Sequence, residues 1–460
     1  MLFNTSEYFI FLSTLVFLVY LCRWFKFSEK YLLLIGSLYF YAQWNIYYLF
    51  LIYITITVDF YLGRQIFKRN RMLYLVLSIF FNLSILAWFK YSQFILDTLT
   101  HINRFFGGTT TLPKLNILLP VGISFYTFQS LSYTIDLYRE KLVPRQSYWD
   151  YALFISFFPQ LVAGPIVKAR LFFRQLDKKR QFSLRLFRKG VYLLVLGLSK
   201  KIVFADNLAL IADPVFNSPS GLSSSETLLG VLAFTFQIYF DFSGYTDMAI
   251  GSALILGFHF PKNFNYPYVA TSIREFWRRW HISLSSWLRD YLYISLGGSR
   301  GSSLLIFRNL MLTMLLGGLW HGASWNFVIW GGLHGLYMVI ERVASQYFHF
   351  SVFIWVIVRW FFTFCLISLT WIFFRAATLN DSLTIFDNLF CGDFIWSYIL
   401  SWQGVLMAFL LGINYFNFRT KLHRIAAISD VMYVLLLVVY LILMLVFSAE
   451  VSEKFIYFQF

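Results

Sequence analysis

The residues with the most chemistry to offer are histidines in a stretch rich in glycine and tryptophan. Of seven in 460 residues, three lie close together in sequence: His281, His321 and His334. His321 stands in Gly317-Gly318-Leu319-Trp320-His321-Gly322-Ala323-Ser324-Trp325, and His334 in Gly331-Gly332-Leu333-His334-Gly335. Gly318 and Gly322 make a GxxxG spacing around His321, and small residues let neighbouring backbones approach closely. A histidine in such packing is either a positioned base titrating near neutrality or a buried imidazole satisfied by a carbonyl, and the local residues leave both readings open. The remaining four read as peripheral: His101 and His349 near segment ends, His423 in a basic loop, and His259 in a turn beside Pro261.

Carboxylates form a second candidate group. Gln237, Asp241, Ser243, Tyr245 and Asp247 share the run Phe236-Gln237-Ile238-Tyr239-Phe240-Asp241-Phe242-Ser243-Gly244-Tyr245-Thr246-Asp247, and Asp136 stands among Tyr126, Gln129, Tyr133 and Tyr138. Ionisable groups in apolar segments are costly, so they mark either direct chemistry or hydrogen bonds that tie broken helices together. A zinc site is not expected, because HExxH and any i, i+4 histidine pair are absent and the long separations among the three histidines match no local metal signature. Neither a serine-hydrolase elbow nor a Walker A loop is read in the chain. Cys22, Cys365 and Cys391 are widely separated and lack CxxC spacing, which argues against a disulfide framework.

The elements that position these groups must lie in lipid. The chain is 59% hydrophobic, 22% aromatic and only 13% charged, far from the balance of a soluble domain. A net charge of +16 then reads as basic loops facing anionic lipid, and nucleic-acid binding is excluded. Apolar stretches near 7–22, 31–50, 46–63, 72–89, 117–138, 190–211, 227–256, 303–320, 324–343, 352–374, 395–416 and 429–448 predict about 11–12 transmembrane helices in an all-α polytopic protein. Arg23 and Lys26 follow the first stretch with no cleavage site before them, as in a retained span. Basic clusters at Arg64–Arg71, Lys168–Lys189, Arg274–Arg300 and Arg419–Arg424 fall on one side if the spans alternate, which puts both termini outside the cytoplasm. Two stretches break the alternation. The segment 148–166 carries Pro159, Gly164 and Pro165 and reads as a re-entrant hairpin; residues 259–300 read as interfacial and re-entrant helices beneath a central cavity. Lys200 and Lys201 sit inside an apolar stretch, and the alternation offers no account of them.

Several strings carry a resemblance to a known family. These are Phe158-Pro159-Gln160 with Ala163-Gly164-Pro165, the run Tyr239–Asp247, Phe276-Trp277-Arg278-Arg279-Trp280-His281-Ile282-Ser283-Leu284-Ser285, and Leu319-Trp320-His321-Gly322. From about residue 115 onward the chain resembles the membrane-bound O-acyltransferases, in particular the bacterial branch that O-acetylates exported polysaccharides. The resemblance implies one integral membrane domain over 1–460, with peripheral helices in 1–115, a core in 116–345 and further helices with an extracytoplasmic tail in 346–460. It implies that His321 is the catalytic general base and that His281 orients donor or acceptor, while His334 is left as structural. The ending Glu453-Lys454-Phe455-Ile456-Tyr457-Phe458-Gln459-Phe460 resembles a terminal motif of this branch whose tyrosine passes the acyl group outward. A phenol suits such a relay, because its pKa of about 10 makes an aryl ester more reactive than a sugar ester.

The activity that follows is transfer of an acetyl or other short acyl group from a cytoplasmic thioester, acetyl-coenzyme A or another acyl thioester, across the bacterial cytoplasmic membrane. No tightly bound cofactor or metal is expected. The partners are the lipid bilayer, an alginate-like or peptidoglycan acceptor and an extracytoplasmic esterase-like protein. The basic cluster at 168–189 serves either the phosphates of coenzyme A or anionic lipid. Three rivals stand beside this reading: a transporter of acyl groups or protons without ester chemistry, an acyltransferase with a long acyl donor, and a scaffold for polysaccharide export.

Overall fold

In the computed structural model the residues described are 1–68, 70–115, 117–162, 164–347, 353–420, 430–448 and 455–456. All their regular structure is helical, as expected. They divide into two compact units, one of residues 1–190 with 249–261, the other of residues 191–248 with 262–460. Arg69, Ala163, His349, Lys421, His423, Arg424, Glu453, Lys454 and Tyr457 lie outside the described residues.

The first unit contains α1 (Ser6–Trp24), α2 (Lys30–Ala42), α3 (Tyr47–Ile66), α4 (Arg71–Leu86), α5 (Ser92–Phe105), α6 (Ile123–Tyr138), α7 (Tyr148–Ser156), α8 (Phe158–Leu161) and α9 (Ala169–Leu176). The stretch expected to be re-entrant is broken at Phe157, between α7 and α8. Its loose backbone is met by protein: the Phe158 N–H donates to Ser37 Oγ at 3.2 Å, and Gln160 Nε2 donates to the Phe154 carbonyl. This is how irregular backbone survives away from water. Outside the spans, Glu29 accepts from Arg180 at 2.8 Å and lies 3.5 Å from Arg23. Burial works against its carboxylate, but the Arg180 and Arg23 charges hold its pKa below the ordinary range.

The helices α10 (Leu184–Ser199), α11 (Asp206–Asn217) and α12 (Ser224–Ile255) follow, with a π-helical turn over Lys200–Ala205. Then come α13 (Ile273–Arg279), α14 (Ile282–Trp287), α15 (Ser303–His321), α16 (Trp325–Tyr347), α17 (Phe353–Arg375), α18 (Leu379–Cys391), α19 (Trp396–Ile399), α20 (Trp402–Thr420) and α21 (Asp430–Phe447). Residues 259–300, expected not to span, form only short helical pieces. Among the described residues seven helices are by themselves long and apolar enough to cross a membrane, fewer than the apolar stretches predict. Stretches 31–50 and 117–138 form helices of only 13 and 16 residues and 190–211 is divided by the π turn, while α16 and α20, over 324–343 and 395–416, are long enough but more polar. The protein is nonetheless a multi-pass membrane protein.

The site depends on α15 and α16, which are antiparallel neighbours joined by three residues. A Cβ on Gly331 would stand 2.4 Å from the Met314 carbonyl oxygen, and one on Gly318 would stand 2.2 Å from that of Phe327. Nothing larger than hydrogen fits there, so backbone lies against backbone. Gly331→Val should therefore lower stability by about 1–3 kcal/mol through forced separation of the helices. Gly332→Ala, whose Cβ meets only a Leu315 side-chain carbon at 3.5 Å, should leave the thermal midpoint of the purified protein unchanged. Equal midpoints for both variants would count against this contact as the constraint.

Candidate active site

His321 is the last residue of α15 and His281 precedes α14. Both are buried, and their ring centroids are 6.5 Å apart at 67°. That separation is too long for a direct hydrogen bond between the rings. It is close to the span of one hydroxyl oxygen held by two nitrogens at ~2.8 Å each. Trp320 lines the pair, 6.1 Å from His281 and 5.0 Å from His321, and Trp330 and Phe374 close the other faces of His321 at 5.0 and 5.3 Å.

His281 has a left-handed backbone with φ of 41°, a conformation that costs a residue with a side chain about 1–2 kcal/mol. Asn263 holds it there. The Asn263 Oδ1 accepts from the Ser283 N–H at 3.0 Å and from Ser283 Oγ at 2.8 Å, and lies 3.3 Å from His281 Nδ1. On its other side Nδ1 is 3.4 Å from the Leu284 N–H. A protonated Nδ1 donates to Asn263 and an unprotonated one accepts from Leu284, so both neutral tautomers are accommodated without turning the ring. Asn263 escapes detection in sequence, where nothing beyond its neighbourhood to Pro261 distinguishes it.

His334 is set apart from the pair by Trp330, whose ring is 4.8 Å from it. Thr370 Oγ1 lies 2.7 Å from the Ile367 carbonyl, to which it donates, and 3.1 Å from His334 Nε2, so His334 has a polar partner outside the pair. His259 meets Gln175 through its backbone, its N–H donating at 2.6 Å and its carbonyl accepting at 3.1 Å, and His101 is exposed. No group of three histidine, cysteine or acidic residues able to hold a metal occurs among the described residues. The glycine-rich string Gly297-Gly298-Ser299-Arg300-Gly301 is a turn with no strand before it, and Ser299 Oγ shares a hydrogen with Tyr293 OH at 3.0 Å.

The polar run of α12 has partners that sequence does not reveal. Gly197 of α10 meets Gly244 of α12 so closely that a Cβ on Gly197 would be 2.4 Å from the Gly244 carbonyl oxygen. At this crossing Lys200 Nζ reaches Asp247 at 2.6 Å, and Lys201 Nζ lies between Asp206 at 2.8 Å and Asp241 at 2.9 Å. Asp241 Oδ2 also accepts the Ile456 N–H at 2.8 Å. Phe455 packs 4.2 Å from Tyr245 and 5.8 Å from Phe242, whose ring is 4.8 Å from His281. In the 168–189 cluster Arg170, Arg174, Lys178, Lys179, Arg185 and Lys189 are exposed.

The model of the membrane-bound O-acyltransferase family matches residues 65–379. The chain is 42% identical over 399 residues to the probable alginate O-acetylase AlgI of Pseudomonas aeruginosa, covering 85% of this chain and 75% of that one. It is 40% identical over 390 residues to the peptidoglycan O-acetyltransferase of Helicobacter pylori, covering 78% and 73%. A fainter similarity, 28% over 253 residues, joins it to the teichoic acid D-alanyltransferase of Streptococcus thermophilus, covering 51% and 58%.

Asn263→Ala should destabilise the protein by about 1–3 kcal/mol, because the Ser283 N–H and hydroxyl lose their buried acceptor. Thermal unfolding of the purified protein measures this. A midpoint within about 1 °C of the parent, by the scale of about 2–4 °C per kcal/mol, would show that Asn263 does not hold the turn.

Proposed function

The chain belongs to the membrane-bound O-acyltransferase family, and from that premise we propose that it O-acetylates an exported cell-envelope polysaccharide, with His321 as general base. It is an acyltransferase and a multi-pass membrane protein. The observation that carries the proposal is the buried pair of imidazoles, 6.5 Å apart, one at the junction of α15 and α16 and the other at the start of α14. One hydroxyl between them would meet a base on one side and an orienting ring on the other.

The reaction needs a base because a neutral hydroxyl is a weak nucleophile. His321 takes the hydroxyl proton as the oxygen attacks the thioester carbonyl; the C–S bond then breaks and the proton returns to the departing thiolate. His281, able to hold either tautomer, orients the reacting group beside it. Acetyl-coenzyme A presented from the cytoplasm is the donor, and the exposed cations of the 168–189 cluster suit its phosphates, as they suit anionic lipid. The names of the alginate and peptidoglycan relatives support an acetyl group and a polysaccharide acceptor of one of those kinds.

Tyr457 is the first acceptor in this scheme. It lies outside the described residues, but its neighbours Phe455 and Ile456 are buried, and Phe455 is one ring removed from His281. Acetylated at its phenol, Tyr457 would pass the group to an extracytoplasmic esterase-like partner on the outer side of the inner membrane.

Ester-linked acetate released by mild base from envelope glycans tests the scheme, compared at matched membrane abundance. His321→Ala should lower it at least about a hundredfold, and Tyr457→Phe should abolish transfer to glycan. Loss only in His321→Ala would retain the acyltransferase and discard the tyrosine; unchanged acetate in both would leave a transporter or scaffold.

A further inference from the structure

Lys200 and Lys201 are unexplained by any alternation of spans, yet Lys201 is among the most buried residues of the protein, with 1% of its side chain exposed, as are its partners Asp206 and Asp241 at 2% and 1%. Two carboxyl groups face one ammonium. In so buried a place their remaining oxygens need donors, and Asp241 finds one in the Ile456 N–H. The seat is completed by Tyr245, whose ring lies 6.0 Å from Lys201 Nζ on one side and 4.2 Å from the Phe455 ring on the other. The lysine is delivered by the π-helical turn Lys200–Ala205, a distortion that often marks function because it sacrifices regular backbone bonds.

We infer that the Asp206–Lys201–Asp241 cluster is a charge-built seat for the chain's own 455–456 segment, and that Lys201 is a positioning residue which holds that segment one ring away from His281. Lys201 fixes the Asp241 carboxylate; Asp241 captures a backbone N–H; Phe455 fills the aromatic slot between Tyr245 and Phe242. Recognition through a main-chain N–H fixes the register of the segment. The seat stands on this geometry alone, whereas its use in delivering Tyr457 to the histidines rests on the transfer scheme above.

The seat is tested by chemical access to position 456. In full-length protein with Cys22, Cys365 and Cys391 replaced by serine, Ile456→Cys keeps the backbone donor and supplies a buried thiol, while Ile372→Cys reports on the core elsewhere. Maleimide labelling in detergent is compared with Lys201 intact, with Lys201→Met, and with Lys201→Met/Asp206→Asn/Asp241→Asn, which leaves no orphaned charge in the cluster. Labelling at 456 should become at least about tenfold faster in both variants while labelling at 372 stays slow, as expected when local opening is separate from global unfolding. Slow labelling at 456 in a variant that keeps 372 protected would overturn the inference. So would fast labelling at both positions in both variants, since the cluster would then hold the whole fold and not the segment. Tyr457→Phe should leave the labelling of 456 unchanged, so the seat survives even if the tyrosine relay fails.

Discussion

Backbone contact between α15 and α16 is the constraint on which the rest of the site depends. Gly318 and Gly331 remove every atom that would hold these helices apart, and the short connection between them then leaves His321 at the end of α15 with no room to move. Trp320 and Trp330, one from each helix, wall the imidazole in. Aromatic packing of this kind fixes the plane of a ring by shape and quadrupole. The second histidine is positioned by a different device, a left-handed turn closed by Asn263.

The same demand that polar groups be met within the protein explains the remote parts. The broken segment around Phe157 finds its donors and acceptors in Ser37 and Gln160, and the lysines of the π turn find Asp241 and Asp247. Neither is an ornament of the fold. Each converts a segment that lipid would reject into one that can line a polar interior, and the second also offers Ile456 a place to dock.

Much of this is legible in sequence, and the rest is not for identifiable reasons. Composition alone places the chain in a membrane, and the prolines of 148–166 mark the broken helix. The glycines flanking His321 point to close packing, but periodicity does not say that His281, forty residues upstream, lies one side chain away; only resemblance to a family brings the two together. Asn263 carries no local signal, since its role comes from a turn closed eighteen residues later by His281. Lys201 looks anomalous because its partner Asp241 is set by a helix crossing at Gly197 and Gly244, which hydropathy does not encode. Fewer single helices are long and apolar enough to cross by themselves than there are apolar stretches, because a stretch of a given composition can fold as one long helix or as a short or interrupted one.

The most direct test of the account is thioester turnover by the purified protein in proteoliposomes supplied with labelled acetyl-coenzyme A, read as released thiol and as acetyl bound covalently to the chain. With His321 intact both should be seen; with His321→Ala release should slow by about 10²- to 10⁴-fold and the bound label should disappear. Turnover and labelling by His321→Ala within about twofold of the parent would contradict it, because the buried imidazole pair would then have no part in the chemistry.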